Sequence, residues 1–185
     1  MNHFSILQAS KVLKEGGIIA YPTEAVFGLG CDPTNLRAIR KILTLKKRSP
    51  NKGLILIAAN FDQLQPYLGE IDSVIFDRVM QSWPGPVTWL LPVNPHAPKL
   101  LHGQYDLQAV RVSNFPLVQD LCNAFGGAIV STSANQASRP PARNSLQVRL
   151  RLGRRVDYIL DASVGELKQP STIKNALTGE VIRLG

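Results

Sequence analysis

The sequence predicts a single layered α/β domain, residues 1–185, built on a mixed sheet. Three observations carry that expectation. Short apolar runs alternate with amphipathic stripes of helical period along the whole chain, the pattern of strands interleaved with helices. Several links between these segments are too short for the crossovers that parallel neighbours need, so antiparallel pairs must be mixed in. And 185 residues, 44% of them hydrophobic, can bury about 70% of the surface an unfolded chain exposes, with no need of disulfides or structural metal.

The elements follow in order. Ile6, Leu7, Val12 and Leu13 mark one face of an N-terminal helix. Residues 17–21 (GIIAY) read as a short buried strand stopped by Pro22, and residues 27–33 as a glycine-punctuated stretch. A helix reads from Asn35, with Ile39, Ile42 and Leu43 on one face and Arg37, Arg40, Lys41 and Lys47 on the others. Residues 54–58 (LILIA) form the most strand-like run. Helical patterns over 61–68 and 71–82 lead into the breaker WPGP at 83–86. Strands then read at 87–91 and 109–112. Leu117, Val118, Leu121, Cys122 and Phe125 stripe a helix closed by Gly126 and Gly127. Further strands read at 128–131, 158–160 and 181–183. The 13 prolines gather in the connections, which suits long ordered loops around a site. No repeat, heptad run or composition shift divides the chain.

Composition narrows the functional classes. The apolar content excludes global disorder, and no apolar run reaches the roughly 18 to 20 residues of a membrane span. The N-terminus lacks the pattern of a signal peptide. Cys31 and Cys122 stand far apart with no second thiol nearby, which is neither a zinc site nor a disulfide framework. A cytoplasmic protein with small buried or half-buried thiols is the expectation. The formal charge of +8 favours anionic partners, and its distribution is uneven. Arg37, Arg40, Lys41, Lys46, Lys47, Arg48 and Lys52 fall in the acid-free stretch between Asp32 and Asp62. Arg139, Arg143, Arg149, Arg151, Arg154 and Arg155 fall in another, between Asp120 and Asp157. Both blocks can be solvated faces, and cations at a helix C-terminus also complement its dipole. Lys46 and Arg48, two apart where a helix gives way to an irregular segment, can instead converge on one anion.

Three further groupings carry polar chemistry. Residues 21–25 (YPTEA) sit where a buried strand ends, the place where ligands collect in α/β sheets, with Thr23 offering a hydroxyl; a turn capped by Thr23 accounts for the same residues. Residues 131–135 (STSAN) repeat the arrangement after a second strand, dense in donors suited to carboxylate or phosphate, or else forming a hydroxyl-closed turn. Arg111 is a charge in an apolar strand: it lies on an exposed face, or it faces a cleft and must be paired, with a substrate carboxylate as a natural partner. Two polar strand ends and a basic segment predict one anion-binding groove. The histidines (His3, His96, His102) have no metal spacing and no neighbouring nucleophile. Phosphate-loop, dinucleotide, HExxH and GxSxG patterns are all absent. Chemistry by positioning and cation clamps suits this inventory better than covalent catalysis.

In that order, residues 21–32 (YPTEAVFGLGCD), 45–48 (LKKR), 52–57 (KGLILI), 83–88 (WPGPVT), 109–112 (AVRV) and 131–135 (STSAN) resemble the YrdC/TsaC family, the threonylcarbamoyl-AMP synthases. The likeness runs from about Gly17 to the C-terminus. It implies a YrdC-like twisted α/β sheet with flanking helices and a concave, positive groove. It implies a nucleotidyltransferase that joins L-threonine, bicarbonate or CO2 and ATP into L-threonylcarbamoyladenylate, releasing pyrophosphate. The product serves the N6-threonylcarbamoyladenosine modification at position 37 of tRNAs reading ANN codons, through downstream threonylcarbamoyl-transfer proteins. The family's KxR…SxN signature falls on Lys46, Arg48, Ser133 and Asn135, which would hold nucleotide phosphates, Lys46 and Arg48 being the catalytic pair. Thr23, Arg111 and Ser131 would contact threonine and bicarbonate. Mg2+ is expected with ATP, and no protein metal ligand is assigned. The chain departs from the pattern at Ser49-Pro50, where proline usually follows the arginine directly. It departs again at 136–139 (QASR), where serine–glycine is typical. With the chain ending at Gly185, the resemblance is to the short, bacterial-type form, expected to do without the C-terminal domain of longer members and to build any lid over the site differently.

Elementary chemistry agrees with those roles. N-carboxy-threonine must bring its carboxylate to the α-phosphate, so two anions approach and nearby cations offset their repulsion. Pyrophosphate departure asks for the same. The alternative is a non-catalytic module docking double-stranded or structured RNA by its phosphates; a third reading is a basic subunit facing an acidic protein. An RNA reader has no use for hydroxyls at strand ends and usually carries stacking aromatics, whereas aromatics are 6% here.

Overall fold

A computed structural model describes residues 3–137 and 139–184. The chain runs α1 (His3–Lys14), β1 (Ile19–Pro22), β2 (Phe27–Gly30), α2 (Leu36–Lys46), β3 (Ile55–Ala58), α3 (Ser73–Met80), β4 (Val87–Pro92), α4 (Lys99–His102) and β5 (Leu107–Val112). It continues through α5 (Pro116–Phe125), β6 (Ile129–Ser133), α6 (Ser145–Leu152), β7 (Tyr158–Ile159), β8 (Thr172–Asn175) and β9 (Val181–Arg183). The strands form one nine-stranded mixed sheet in the order β7-β1-β2-β6-β3-β5-β4-β8-β9. The expected α/β class and mixed sheet are both present.

Residues paired across strands share a face, and faces alternate along each strand. Ala20, Leu29, Val130, Leu56, Val110 and Trp89 therefore lie on one side. There they pack with Ile39, Ile42 and Leu43 of α2, Val79 of α3, and Val148 and Leu152 of α6. On the opposite face Ile19, Tyr21, Ile57 and Ile129 meet Ile6, Ala9 and Leu13 of α1 and Leu117, Val118, Leu121 and Cys122 of α5. These two helices cover only part of that face. Its remainder, carrying Ser131, Ser133, Ile55, Ala109 and Arg111, is open and becomes the floor of a cavity.

Local chemistry explains most element ends. Asn35 caps α2, its Oδ1 accepting from the amides of Arg37 and Ala38 at 3.1 and 3.0 Å. Lys47 closes the helix in a left-handed conformation, and Gly126 does the same for α5. Several expectations shift. The buried face of α1 is Ile6, Ala9, Ser10 and Leu13, while Leu7 is exposed. Residues 61–68 form only a 3-10 turn, Gln65–Tyr67, since Pro66 cannot sit inside an α-helix.

The glycine-rich stretch at 27–30 is a buried strand, because the ring of Tyr21 lies across it. A Cβ at Gly28 would come 3.3 Å from that ring, and one at Gly30 would come 2.9 Å from it. Helix α6 had no helical signal in its sequence. Leu146, Val148, Leu150 and Leu152 alternate with polar residues as in a strand, yet only Val148 and Leu152 are buried. Strand β8 and the single turn α4 also went unforeseen. Both cysteines are buried free thiols, as expected.

Candidate active site

Strands β1 and β6 run parallel through their shared antiparallel neighbour β2, so their C-terminal ends reach the same edge of the sheet. Strands β3 and β5 run against β6 and bring their N-terminal ends, with the segment leading into β3, to that edge. A cavity of about 810 Å3 opens there over the uncovered sheet face. Thr23, Arg48, Arg111, Ser131 and Ser133 all line it, so five of the seven expected site residues share one cavity wall. Lys46 and Asn135 do not line it.

The residues expected to meet threonine are tied into the scaffold. The amide and hydroxyl of Thr23 both donate to the Val26 carbonyl, at 3.0 and 2.8 Å. Thr23 thus closes a turn and also lines the cavity. Ser131 accepts a 2.8 Å hydrogen bond from the Tyr21 phenol. Arg111 is buried, and its first partner is within the protein: Nη2 lies 3.1 Å from Glu24 Oε2. Ser113 in turn donates to Glu24 Oε1 at 2.6 Å. Arg111 Nε and Glu24 Oε2 are both buried with no hydrogen-bond partner among the described residues, so the ion pair leaves one donor and one acceptor unsatisfied.

Lys46, at the end of α2, reaches across to the end of β6. Its Nζ donates to the Ser133 carbonyl and, at 2.9 and 3.0 Å, to the Asn135 carbonyl and Oδ1. Ser133 donates to Asn135 Oδ1 at 2.6 Å. The two halves of the expected signature therefore meet directly, and Lys46 holds the serine that faces the cavity. Burial, and then the nearby Arg48 charge, push the Lys46 ammonium down to about 8. Arg48 lines the cavity, its guanidinium held by the Gly53 and Lys52 carbonyls at 3.0 and 3.1 Å. In the segment 136–139, Ser138 lies outside the described residues.

Other residues of the cavity were given no site role by the sequence. Lys52, Tyr105, Ser171 and Arg183 line the cavity, and so does Glu24. The C-terminal segment returns across the sheet edge. Gly165 donates to the Thr23 carbonyl at 2.9 Å and Leu167 to that of Glu24 at 3.0 Å. Ser171 shares a 2.8 Å hydrogen bond with buried Thr88, and its carbonyl accepts from Arg183 at 2.8 Å. Burial, and then the Arg111 charge, lower the proton affinity of Arg183. One signal was available for Glu24: an arginine within an apolar strand calls for an acid, and Glu24 adjoins Thr23. No periodicity or motif points to residues 165–171.

Arg48, Lys52, Arg111 and Arg183 thus face a space whose lining acids are Glu24, already paired, and Asp106. Such a wall receives anions. Among the described residues no group of three His, Cys, Asp or Glu side chains could hold a metal ion. No helix among the described residues is long and apolar enough to cross a membrane.

Comparison with known proteins places these features among relatives. The family model Sua5/yciO/yrdC, described as "Telomere recombination", matches residues 11–185. A threonylcarbamoyl-AMP synthase from Nitrosococcus oceani is 52% identical over 175 residues, 95% of each chain. The crystal structure of P. abyssi Sua5 complexed with L-threonine is similar at TM-score 0.88 and 27% identity. The match covers 95% of this chain and 52% of that one, so the chain spans about half of its length. E. coli YciO is similar at TM-score 0.82 and 25% identity, covering 94% of this chain and 84% of its own.

Proposed function

The chain belongs to the Sua5/yciO/yrdC family, and on that footing we propose that it is a threonylcarbamoyl-AMP synthase, a nucleotidyltransferase of tRNA modification acting as one domain over residues 1–185. It joins L-threonine, bicarbonate or CO2 and ATP into L-threonylcarbamoyladenylate and pyrophosphate. The observation that carries this reading is the cavity lining, which brings strand-end hydroxyls and the buried Arg111 together with Arg48 and Lys52.

The threonine amine takes up the carbon of bicarbonate to give a carbamate, with loss of water. A carbamate oxygen then attacks the α-phosphorus of ATP as the bond to the pyrophosphate oxygen breaks. Arg111, Ser131 and Thr23 hold the amino acid, with the Arg111 guanidinium that lines the cavity meeting its carboxylate. Arg48 and Ser133 face the phosphates, and Lys46 and Asn135 act with them by fixing Ser133 and adding positive charge at the end of β6. These cations offset repulsion between carbamate and phosphate and stabilise departing pyrophosphate, the charge-based contribution this reaction most needs. Mg2+ accompanies ATP as part of the substrate and neutralises phosphate charge.

The product is labile and passes to downstream threonylcarbamoyl-transfer proteins in the cytoplasm. The second basic block, which no part of this reaction uses, is the surface left for contact with RNA phosphates. Several of its arginines also serve the fold, since Arg151 donates to the Pro140 carbonyl and Arg155 to those of Leu152 and Arg151. Purified protein given ATP, threonine and bicarbonate releases pyrophosphate only when all three are present, with the adenylate detectable by mass. Well-folded protein that releases none in response to threonine would overturn this function.

A further inference from the structure

Tyr21 is the largest fully buried side chain on the sheet face that bears the site, and its ring crosses β2 diagonally to reach β6. The sequence makes room for that crossing: strand β2 reads FGLG, and a Cβ at either glycine would press on the ring. At the end of this path the phenol donates to Ser131 Oγ at 2.8 Å. Burial pushes the phenol well above its ordinary range, so it keeps its proton and stays a donor at any pH where the enzyme works.

A serine hydroxyl has one proton and two lone pairs, and alone it can give or accept as its surroundings ask. Here one lone pair is taken by Tyr21. Among the described residues Ser131 Oγ has no other hydrogen-bond partner, and Ser131 lines the cavity. Its own proton is therefore turned away from Tyr21 and toward the ligand space. Arg111 lies on the same face with β3 between, roughly 10 Å away strand to strand, close enough for both side chains to converge on one small anion.

We propose that Tyr21 is a positioning residue for threonine recognition: its phenol commits the Ser131 hydroxyl to donating, so that this part of the cavity selects an acceptor oxygen such as a carboxylate. The proposal rests on the reading that Ser131 meets the threonine. A donor feeding a donor also strengthens the second bond, since hydroxyls in series polarise one another.

Tyr21→Phe keeps the ring that fills the space over β2 and removes only the donor. It should raise the KM for threonine about 5- to 10-fold, the loss expected for one well-placed hydrogen bond, with the KM for ATP changed less than about 2-fold. Ser131→Ala should raise the threonine KM at least as far, and adding Tyr21→Phe to it should do nothing more. A Tyr21→Phe effect that multiplies on top of Ser131→Ala, or that falls equally on ATP, makes Tyr21 a packing residue and overturns the proposal. A Ser131→Ala enzyme with unchanged threonine KM overturns the Ser131 assignment beneath it, a failure distinct from the first. Should Tyr21→Phe fold poorly, 3-fluorotyrosine at position 21 keeps ring and hydroxyl while making a stronger donor. The threonine KM then falls if the hydroxyls act in series, and an unchanged KM counts against the proposal.

Discussion

Arg111 is held by Glu24 within the fold, and the proposed threonine contact adds a second role to the same side chain. Its pairing with Glu24 is buried on both sides, so Arg111→Ala leaves an uncompensated carboxylate and should cost about 3–5 kcal/mol of stability. Arg111→Lys is the sharper variant because it keeps the charge and loses the planar fork. We expect it to raise the threonine KM about 10-fold and leave the ATP KM within about 2-fold, measured in the pyrophosphate assay; equal effects on both would move Arg111 out of the threonine site. Lys46 makes a second residue-scale prediction. Its ammonium titrates near 8, below the ordinary lysine value, because burial and then Arg48 disfavour the charge. The kcat/KM for ATP should therefore fall as pH rises through about 8, and Lys46→Arg should carry that limb to higher pH. Unfolding cannot imitate this loss. The unfolded chain binds the proton more tightly, so between about 8 and the ordinary lysine range this group's contribution to stability rises with pH. At this scale much of the site was legible: a lone arginine in an apolar strand and hydroxyls at strand ends were visible as residue types. The acid that completes Arg111 was not, because Glu24 and Arg111 are far apart in sequence and only strand packing brings them together.

Elements were legible where period, caps and core agree. Helix α2 has all three: an Asn35 cap, an apolar stripe at Ile39, Ile42 and Leu43, and basic residues outward. Helix α6 has a cap at Asn144 but an alternating pattern, and burial of just Val148 and Leu152 decides its state. Strand β2 was hidden for the opposite reason. Glycines that usually mark loops serve there as clearance for Tyr21, a tertiary need that no local pattern reports. The strap over residues 165–171 is the element that most directly shapes the site without any motif. Gly165 approaches Glu24 so closely that a Cβ would stand 2.7 Å from its carbonyl oxygen. Gly165→Ala should therefore displace the strap, cost about 1–3 kcal/mol by overpacking, and raise the threonine KM as Thr23 and Glu24 lose their bonds from Gly165 and Leu167. Thermal melts together with steady-state kinetics would check both effects. A destabilised variant with unaltered KM would make the strap a prop for the fold and nothing more.

For the molecule as a whole, ligand binding and stability are linked, because the cavity is assembled from strands remote in sequence. Thr23, Arg48 and Ser131 and the C-terminal Ser171 and Arg183 meet only in the folded sheet. Each ligand at about 100 times its Kd should stabilise the protein by about 2.7 kcal/mol. Differential scanning calorimetry should show the threonine stabilisation fall by about half, to about 1.4 kcal/mol, in Arg111→Lys at that same threonine concentration while the ATP shift persists. An equal fall in both would mean that the two ligands share one subsite. Of the excess positive charge, composition alone could say only that anions are favoured. The layered α/β class, most of the strands and the residue types that handle anions were determined by the sequence itself, since apolar period and side-chain chemistry are local properties. Only the tertiary structure decided that Arg111 is held by Glu24, that Lys46 braces Ser133 and Asn135, and that Tyr21 commits Ser131 to one polarity. Those choices depend on strand register and on which sheet face the helices leave uncovered, and both are set by contacts between residues scores of positions apart.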